Sequence, residues 1–149
     1  MTKLKEGDKA PVFTGINEKS ETVSLKDFKG KKVVLYFYPK DNTPTCTAEA
    51  CDLRDNYKRF LKLGYTILGV STDTPKVHQN FIKKYALPFS LISDPEHEIC
   101  DMYGVWGEKV LFGRHYMGII RTTFVIDEKG KIEKIIEKVD AKNHTTQIL

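Results

Sequence analysis

The sequence predicts an α/β fold with a central mixed sheet, flanking helices and an N-terminal β-hairpin. Three observations predict it. Short runs of β-branched and aromatic residues recur along the chain, segments with apolar residues at helical spacing lie between them, and two further strand-like runs follow late in the sequence. At 149 residues the chain is long enough for one core, so residues 1–149 are expected to form a single domain.

The first predicted elements are a hairpin and a buried strand. Residues 11–25 are expected to form a short hairpin that turns near residues 15–21. The run Lys32–Tyr38 is apolar, β-branched and aromatic, which is typical of a buried central strand. Pro39 is expected to end this strand.

A long helix is predicted to follow from Thr43 to Leu63, with Gly64 as its end. Its apolar residues recur at helical spacing, namely Leu53, Tyr57, Phe60 and Leu61. The next strand is predicted at Tyr65–Ser71. Thr74 and Pro75 together are a helix-start signal, so a second helix is expected up to about residue 86.

Shorter elements are predicted in the middle of the chain. A short strand is expected at Phe89–Ile92 and a short helix at Pro95–Tyr103. Four glycines punctuate the next segment, so residues 104–118 are predicted to form a loop.

The last predicted elements are a hairpin and a helix. Thr122–Ile126 and Lys131–Val139 are expected to pair around a turn at residues 128–130, and a short helix is expected from about Ala141. Strands that alternate with helices imply a parallel core, to which this hairpin adds antiparallel strands. The mixture fits a thioredoxin-like fold, in which ligands bind beyond the carboxyl ends of parallel strands.

The composition narrows the class of protein. The net charge of +4 is modest, and the lysines are scattered among acidic residues rather than clustered, which indicates a solvated surface and no nucleic-acid site. No apolar run is long enough to span a bilayer, and no signal-peptide pattern follows Met1. We therefore expect a cytoplasmic protein without membrane association, in which disulfides are transient or catalytic.

Cys46 is the first candidate for chemistry. Thr43 is a predicted N-cap and Pro44 a predicted first helical residue, so Cys46 falls near the third position of a helix. Backbone N–H groups there lack partners and the helix dipole is positive, which lowers the pKa of a thiol. Since the thiolate is the nucleophile, this position alone makes Cys46 a candidate.

Cys51 lies five residues later on the same predicted helix. Five helical residues correspond to a rise of roughly 7.5 Å and a rotation of about 140°. A disulfide needs Cα atoms within about 7 Å and converging Cβ vectors, so an intact helix cannot hold a Cys46–Cys51 bond. If the bond forms, the first turns must unwind. Packing against the helix is the alternative reading for Cys51.

The chain resembles the peroxiredoxins. The matching residues are Pro39, Thr43 and Cys46 in the order Pro-x-x-x-Thr-x-x-Cys, and similar stretches extend the resemblance over nearly the whole chain: residues 7–13, 93–95, 103–106 and 118–127. The most similar branch is the Q type, or bacterioferritin-comigratory protein. Thr45 departs from this branch, which usually has glycine there, and we expect it to tune the active-site loop.

The resemblance implies a thiol-dependent peroxidase on a thioredoxin-like fold. Cys46 is then the peroxidatic cysteine, Cys51 the resolving cysteine and Arg121 the cation beside the thiolate, with Pro39 and Thr43 completing the peroxide site. The implied substrates are hydrogen peroxide and small organic hydroperoxides, and the implied reductant is thioredoxin or a similar dithiol. The resemblance also implies a monomer that needs no metal, haem or flavin.

Several residues keep alternative interpretations. Arg121 could form an ordinary surface ion pair, and Glu49, one turn after Cys46, could orient Arg121. Cys100 is expected to be buried packing. Cys46, Cys51, His97 and Cys100 could together supply four ligands for a zinc ion, but their spacing resembles no standard zinc module.

Two other functions stay open at this point. A thiol–disulfide oxidoreductase of the same fold usually carries Cys-x-x-Cys, which this chain lacks. A chaperone or binding protein with incidental cysteines belongs to a different class, and it would keep its activity without any thiol.

Overall fold

The computed structural model describes residues 2–149 and is a mixed α/β fold. The strands are β1 Thr14–Asn17, β2 Thr22–Ser24, β3 Lys32–Phe37, β4 Tyr65–Ser71, β5 Ser90–Ser93, β6 Trp106–Leu111, β7 Arg114–Ile119, β8 Thr122–Ile126 and β9 Ile132–Ile136. Seven of them form one sheet in the order β2-β1-β5-β4-β3-β8-β9, and β6 and β7 form a separate pair. The helices are α1 Pro44–Asp55, α2 Tyr57–Lys62, α3 Pro75–Tyr85, α4 Glu98–Met102 and α5 His144–Ile148.

The pairing of the strands confirms the predicted mixed sheet. Strands β3, β4 and β5 are parallel, whereas β8 pairs antiparallel with β3 and β9 antiparallel with β8. The N-terminal hairpin of β1 and β2 joins the sheet through antiparallel pairing of β1 with β5. Strand β3 thus lies inside the sheet, between β4 and β8, and the loop that follows it opens at the carboxyl end of the parallel strands.

Strand β3 separates the core into two halves. Val33, Leu35 and Phe37 face a cluster that includes α4, while alternate residues face a cluster that includes α1, α3 and α5. The second set is Val34 and Tyr36, continued by Tyr38. Because side chains of a strand alternate between faces, one strand supplies both cores.

The prediction of one continuous helix from Thr43 to Leu63 is wrong. The segment forms two helices, α1 and α2, which are separated at Asn56, whose backbone has φ −107° and ψ 12°. The Asn56 amide donates a 2.8 Å hydrogen bond to the backbone oxygen of Asp52. An asparagine side chain that takes a backbone acceptor in this way competes with the helical ladder, which ends α1.

The predicted loop at residues 104–118 is also wrong, because most of it is the hairpin of β6 and β7. The strands pair from Trp106 opposite Ile119 to Leu111 opposite Arg114. Phe112 and Gly113 both have positive φ, 52° and 77°, as a tight two-residue hairpin turn requires. Glycine at this turn marks the join between two strands rather than an irregular segment.

The smaller elements agree with the sequence except at their ends. Helix α4 begins at Glu98, three residues later than predicted, and β5 is displaced by one residue. The final helix is present, as a 3-10 turn at Ala141–Asn143 followed by α5. In the described part of the chain, no helix combines the length and apolar character needed to cross a bilayer.

Candidate active site

The first turn of α1 positions Cys46. Pro44 is the first residue of the helix and Cys46 the third, as the sequence predicts, and the Cys46 side chain is buried. The loop from Tyr38 to Thr43 carries the chain from the end of β3 to this turn. The thiol therefore lies at the amino end of a helix, where unpaired N–H groups favour a negative charge.

Thr43 occupies the N-cap position but does not cap the helix with its side chain, which corrects the expectation from sequence. Its hydroxyl donates instead to the backbone oxygen of Lys40 at 2.9 Å. This bond keeps the half-buried Thr43 folded back onto its own loop. The first-turn N–H groups are consequently left without a hydroxyl partner from the N-cap. Pro39 is half-buried at the start of the same loop.

Arg121 contacts Cys46 directly. One guanidinium nitrogen, Nη2, lies 3.1 Å from the Cys46 sulfur, and the other, Nη1, donates to Glu49 Oε1 at 2.6 Å. Arg121 immediately precedes β8, which pairs with β3, so the central sheet positions the cation against α1. The side chain is 18% exposed, too little for the surface ion pair that was the alternative reading.

The charges around Cys46 perturb one another. Burial raises the pKa of Glu49 to about 7, against the lowering effect of Arg121. Burial alone would lower the pKa of Arg121, but Glu49 and Cys46 raise it above its ordinary value. Lys109 of β6 is near enough to be affected, since burial and Arg121 lower its pKa. A fixed cation thus lies between a buried carboxyl group and a thiol.

A second buried network, which the sequence analysis missed, holds the loop before α1. Asp41 accepts a hydrogen bond from the Tyr38 hydroxyl at 2.5 Å and contacts His78 Nδ1 at 2.6 Å. The other ring nitrogen of His78, on α3, donates to the backbone oxygen of Ile92 at 3.1 Å. The network links the loop, α3 and β5. Its members are far apart in sequence, and no local pattern marks them.

His144 of α5 is a further buried group that the sequence analysis did not single out. Its Nε2 lies 2.7 Å from the Thr123 hydroxyl and 3.4 Å from Glu49 Oε2. Burial lowers the pKa of this imidazole. The only signal in the sequence is a histidine on a short helix, which is more often an ordinary core residue.

The other two cysteines have different surroundings. Cys51 is half-exposed on α1, which is continuous between the two cysteines, and all three thiols are free. Cys100 is buried on α4, where burial and then Asp94 raise its pKa. Cys46 and Cys100 belong to the clusters on opposite sides of the central sheet. This separation contradicts a shared zinc site.

Within residues 2–149, one group of side chains has ligand atoms close enough together to hold a metal: Asp41, Asp73 and His78. These atoms already have hydrogen-bond partners. Asp73 Oδ2 accepts from the Asp41 backbone N–H at 2.8 Å and from the Ser71 hydroxyl at 2.7 Å. The group is better described as the network that anchors the loop.

Comparisons with known proteins agree on one family. The AhpC/TSA family matches residues 6–135. Peroxiredoxin Bcp of Bacillus subtilis is 48% identical over 96% of this chain and 91% of its own. The structure of PrxQ from Xylella fastidiosa has a TM-score of 0.92 at 30% identity, covering 99% and 94% of the two chains.

A second structural neighbour is the bacterioferritin comigratory protein of Xanthomonas campestris. Its TM-score is 0.87 at 31% identity, and the similarity covers 99% of this chain and 94% of that one. The description of that structure concerns alkyl peroxide reduction by the Xanthomonas protein.

Proposed function

Because the chain belongs to the AhpC/TSA family and is a peroxiredoxin, and therefore a thiol peroxidase, we propose that Cys46 is the sulfur that attacks the peroxide. One observation carries this proposal: Arg121 Nη2 lies 3.1 Å from a buried thiol in the first turn of a helix. The amino end of the helix and the guanidinium group both favour the thiolate, which is the reactive form of cysteine. Neither Cys51 nor Cys100 has such surroundings.

In the first step, the Cys46 thiolate attacks one peroxide oxygen. The O–O bond breaks, and its electron pair leaves with the other oxygen, which takes up a proton to give water or an alcohol. Cys46 becomes a sulfenic acid. Arg121 and the free N–H groups of the first turn stabilise negative charge as it moves from sulfur to the leaving oxygen. Thr43 and Pro39 border the place where the peroxide binds.

In the second step, Cys51 condenses with the sulfenic acid. A sulfur–sulfur bond forms and one water is released. Since α1 is intact between the two cysteines, the segment from about Thr43 to Asp52 must unwind first. Cys51 is half-exposed, which leaves it accessible once the first turns open.

In the third step, a dithiol reduces the Cys46–Cys51 bond by thiol–disulfide exchange and becomes a disulfide itself. We assign this role to thioredoxin or a similar protein. Hydrogen peroxide and small organic hydroperoxides are the proposed oxidants, and the alkyl peroxide chemistry described for the Xanthomonas neighbour supports the second class. We assign a monomer as the active unit, as the resemblance to the Q type implies.

The test is NADPH oxidation coupled through thioredoxin reductase and thioredoxin, with and without peroxide. We expect peroxide-dependent turnover in the parent, its loss in Cys46→Ser and its retention in the matched variant Cys100→Ser. Peptide mapping after one equivalent of peroxide should link Cys46 to Cys51. Substantial turnover in Cys46→Ser would refute the assignment, and a dominant Cys46–Cys100 bond would refute the resolving role of Cys51.

A further inference from the structure

Among residues 2–149, the second carboxyl oxygen of Glu49 finds no hydrogen-bond partner, although a histidine lies close to it. Oε1 accepts from Arg121, whereas Oε2 is a buried atom without a regular hydrogen bond. His144 Nε2 lies 3.4 Å from this oxygen, and both side chains are fully buried. A buried oxygen of this kind calls for a proton donor or for a proton of its own.

The ring nitrogen of His144 that carries the hydrogen is fixed by the neighbours of Nδ1, on the side of the ring away from Glu49. Gln147 Oε1 accepts from the Asp140 backbone N–H, and Gln147 Nε2 donates to the Lys138 backbone oxygen, each at 2.8 Å. These two bonds fix which end of the amide is oxygen. That oxygen lies 2.8 Å from His144 Nδ1, so Nδ1 must carry a hydrogen. In a neutral imidazole, Nε2 is then the unprotonated nitrogen.

A bare Nε2 cannot face a carboxylate oxygen favourably, because both would present lone pairs to each other. The Thr123 hydroxyl, 2.7 Å from Nε2, donates its hydrogen to this nitrogen, so neutral His144 offers no proton to Glu49 Oε2. Glu49 Oε2 is buried without a donor, which favours a proton on the carboxyl group itself. Burial raises the pKa of Glu49 to about 7 and lowers that of His144, in agreement with this arrangement.

We propose that His144 is a positioning residue for Cys46: held without a hydrogen on Nε2 by Gln147 and Thr123, it offers Glu49 no proton, so Glu49 keeps its own and the charge of Arg121 stays available to the Cys46 sulfur. The proposal rests on the peroxidatic role of Cys46 given above. It extends the site from α1 and β8 to α5, an element that does not touch the thiol.

The effect depends on how one positive charge is divided. While Glu49 is neutral, Arg121 has a single anionic neighbour, the Cys46 thiolate. When Glu49 loses its proton, the guanidinium is shared between two anions, and the thiolate becomes less favourable. Besides burial, charged groups of other elements act on the pair. Arg121 lowers the pKa of both Glu49 and His144, Asp52 on α1 raises both, and Asp140 before α5 raises that of His144. Lys109 on β6 interacts with Arg121 and Cys46.

Two substitutions should move the Cys46 pKa in opposite directions. Glu49→Gln keeps an oxygen for Arg121 and presents an N–H to His144, so it imitates the permanently protonated carboxyl group and should lower the Cys46 pKa. His144→Asn keeps a donor for Gln147 but replaces the ring by a smaller side chain, so water can reach Glu49 Oε2 and donate to it. Glu49 then ionises at lower pH, and the Cys46 pKa should rise.

Each shift should be roughly one to two pKa units, the size expected for a unit charge about 6 Å away at an effective dielectric constant near 20. The double variant should follow Glu49→Gln alone, since His144 acts only through Glu49. If the two residues merely hold Arg121 in place, both substitutions loosen the guanidinium and both raise the Cys46 pKa.

The readout is the rate of Cys46 alkylation by iodoacetamide between pH 4 and 10, followed by mass spectrometry of the Cys46 peptide. This measurement needs no peroxide turnover, so it can fail while the proposed function stands. Melting curves show that each variant folds. Thr123→Val is the control: it removes the hydroxyl at Nε2 but leaves that nitrogen without a hydrogen, so the Cys46 pKa should stay near that of the parent. Opposite shifts support the proposal. Shifts in the same direction, or no shift in His144→Asn, overturn it.

Discussion

Asp52→Asn is expected to speed formation of the Cys46–Cys51 disulfide. Asp52 Oδ2 accepts two hydrogen bonds from Thr145, from the backbone N–H at 2.7 Å and from the hydroxyl at 2.8 Å. These bonds join α1 to α5. Unwinding of α1 as far as Asp52 must break them, so they oppose the opening that brings the two cysteines together.

The size of the effect follows from the charge on the acceptor. A hydrogen bond to a charged group contributes about 1.5–3 kcal/mol and one between neutral groups about 0.5–1.5 kcal/mol, so each bond should lose about 1 kcal/mol in Asp52→Asn. Asp52 is half-buried, and solvent screening reduces the total for two bonds to about 1 kcal/mol. Opening should become about fivefold more frequent.

The assay is rapid mixing of reduced protein with one equivalent of peroxide, with acid quench and quantification of sulfenic acid and disulfide by mass spectrometry. Asp55→Asn is the matched control, because the same change is made on the same helix at a side chain that is 63% exposed. We expect faster disulfide formation in Asp52→Asn alone. A rate equal to that of the parent, together with a lowered melting temperature, would show that the contact between α1 and α5 does not limit resolution.

Three further predictions concern the same site. Arg121→Ala should raise the Cys46 pKa by roughly one to two units and slow oxidation at pH 6, as measured by thiolate absorbance and stopped-flow kinetics; an unchanged pKa would contradict the role of the guanidinium. The folded-state pKa of Glu49, about 7, lies above its ordinary value of 4.5. The contribution of protonated Glu49 to the free energy of unfolding is therefore complete below pH 4.5 and is lost as the pH rises through 7. Glu49→Gln should therefore gain about 3 kcal/mol in free energy of unfolding relative to the parent between pH 4.5 and 8, measured in urea, and the exposed control Glu137→Gln should gain nothing. Cys51→Ser should accumulate sulfinic acid at Cys46 at peroxide concentrations that the parent survives, and equal over-oxidation in both proteins would count against a resolving thiol.

Much of the fold follows from local pattern. Lys32–Tyr38 and Tyr65–Ser71 carry enough β-branched and aromatic residues to be recognised as buried strands, and Thr43-Pro44 marks the start of α1. The proximity of Arg121 to the thiol was predicted from the resemblance to a family. The spacing of the two residues in the sequence does not predict it, because they meet only through the pairing of β8 with β3.

The errors have physical causes that local pattern does not contain. Glycines at residues 107 and 118 suggest a loop, yet both lie within paired strands of the hairpin. The break at Asn56 depends on a side chain that competes for one carbonyl oxygen, and a regular apolar pattern continues across it. The contacts of Asp41 with His78 and of Glu49 with His144 join residues distant in sequence, so only the folded chain shows them.

The alternation of β3 has a consequence for how this protein can adapt. Val33, Leu35 and Phe37 pack on the side of the sheet away from Cys46, while Val34 and Tyr36 pack on the side of α1 and the thiol. Substitutions at the first three positions change the cohesion of a core that does not border the reactive sulfur. Substitutions at these odd-numbered residues are therefore expected to alter stability with less effect on the surroundings of the sulfur than substitutions at the even-numbered ones.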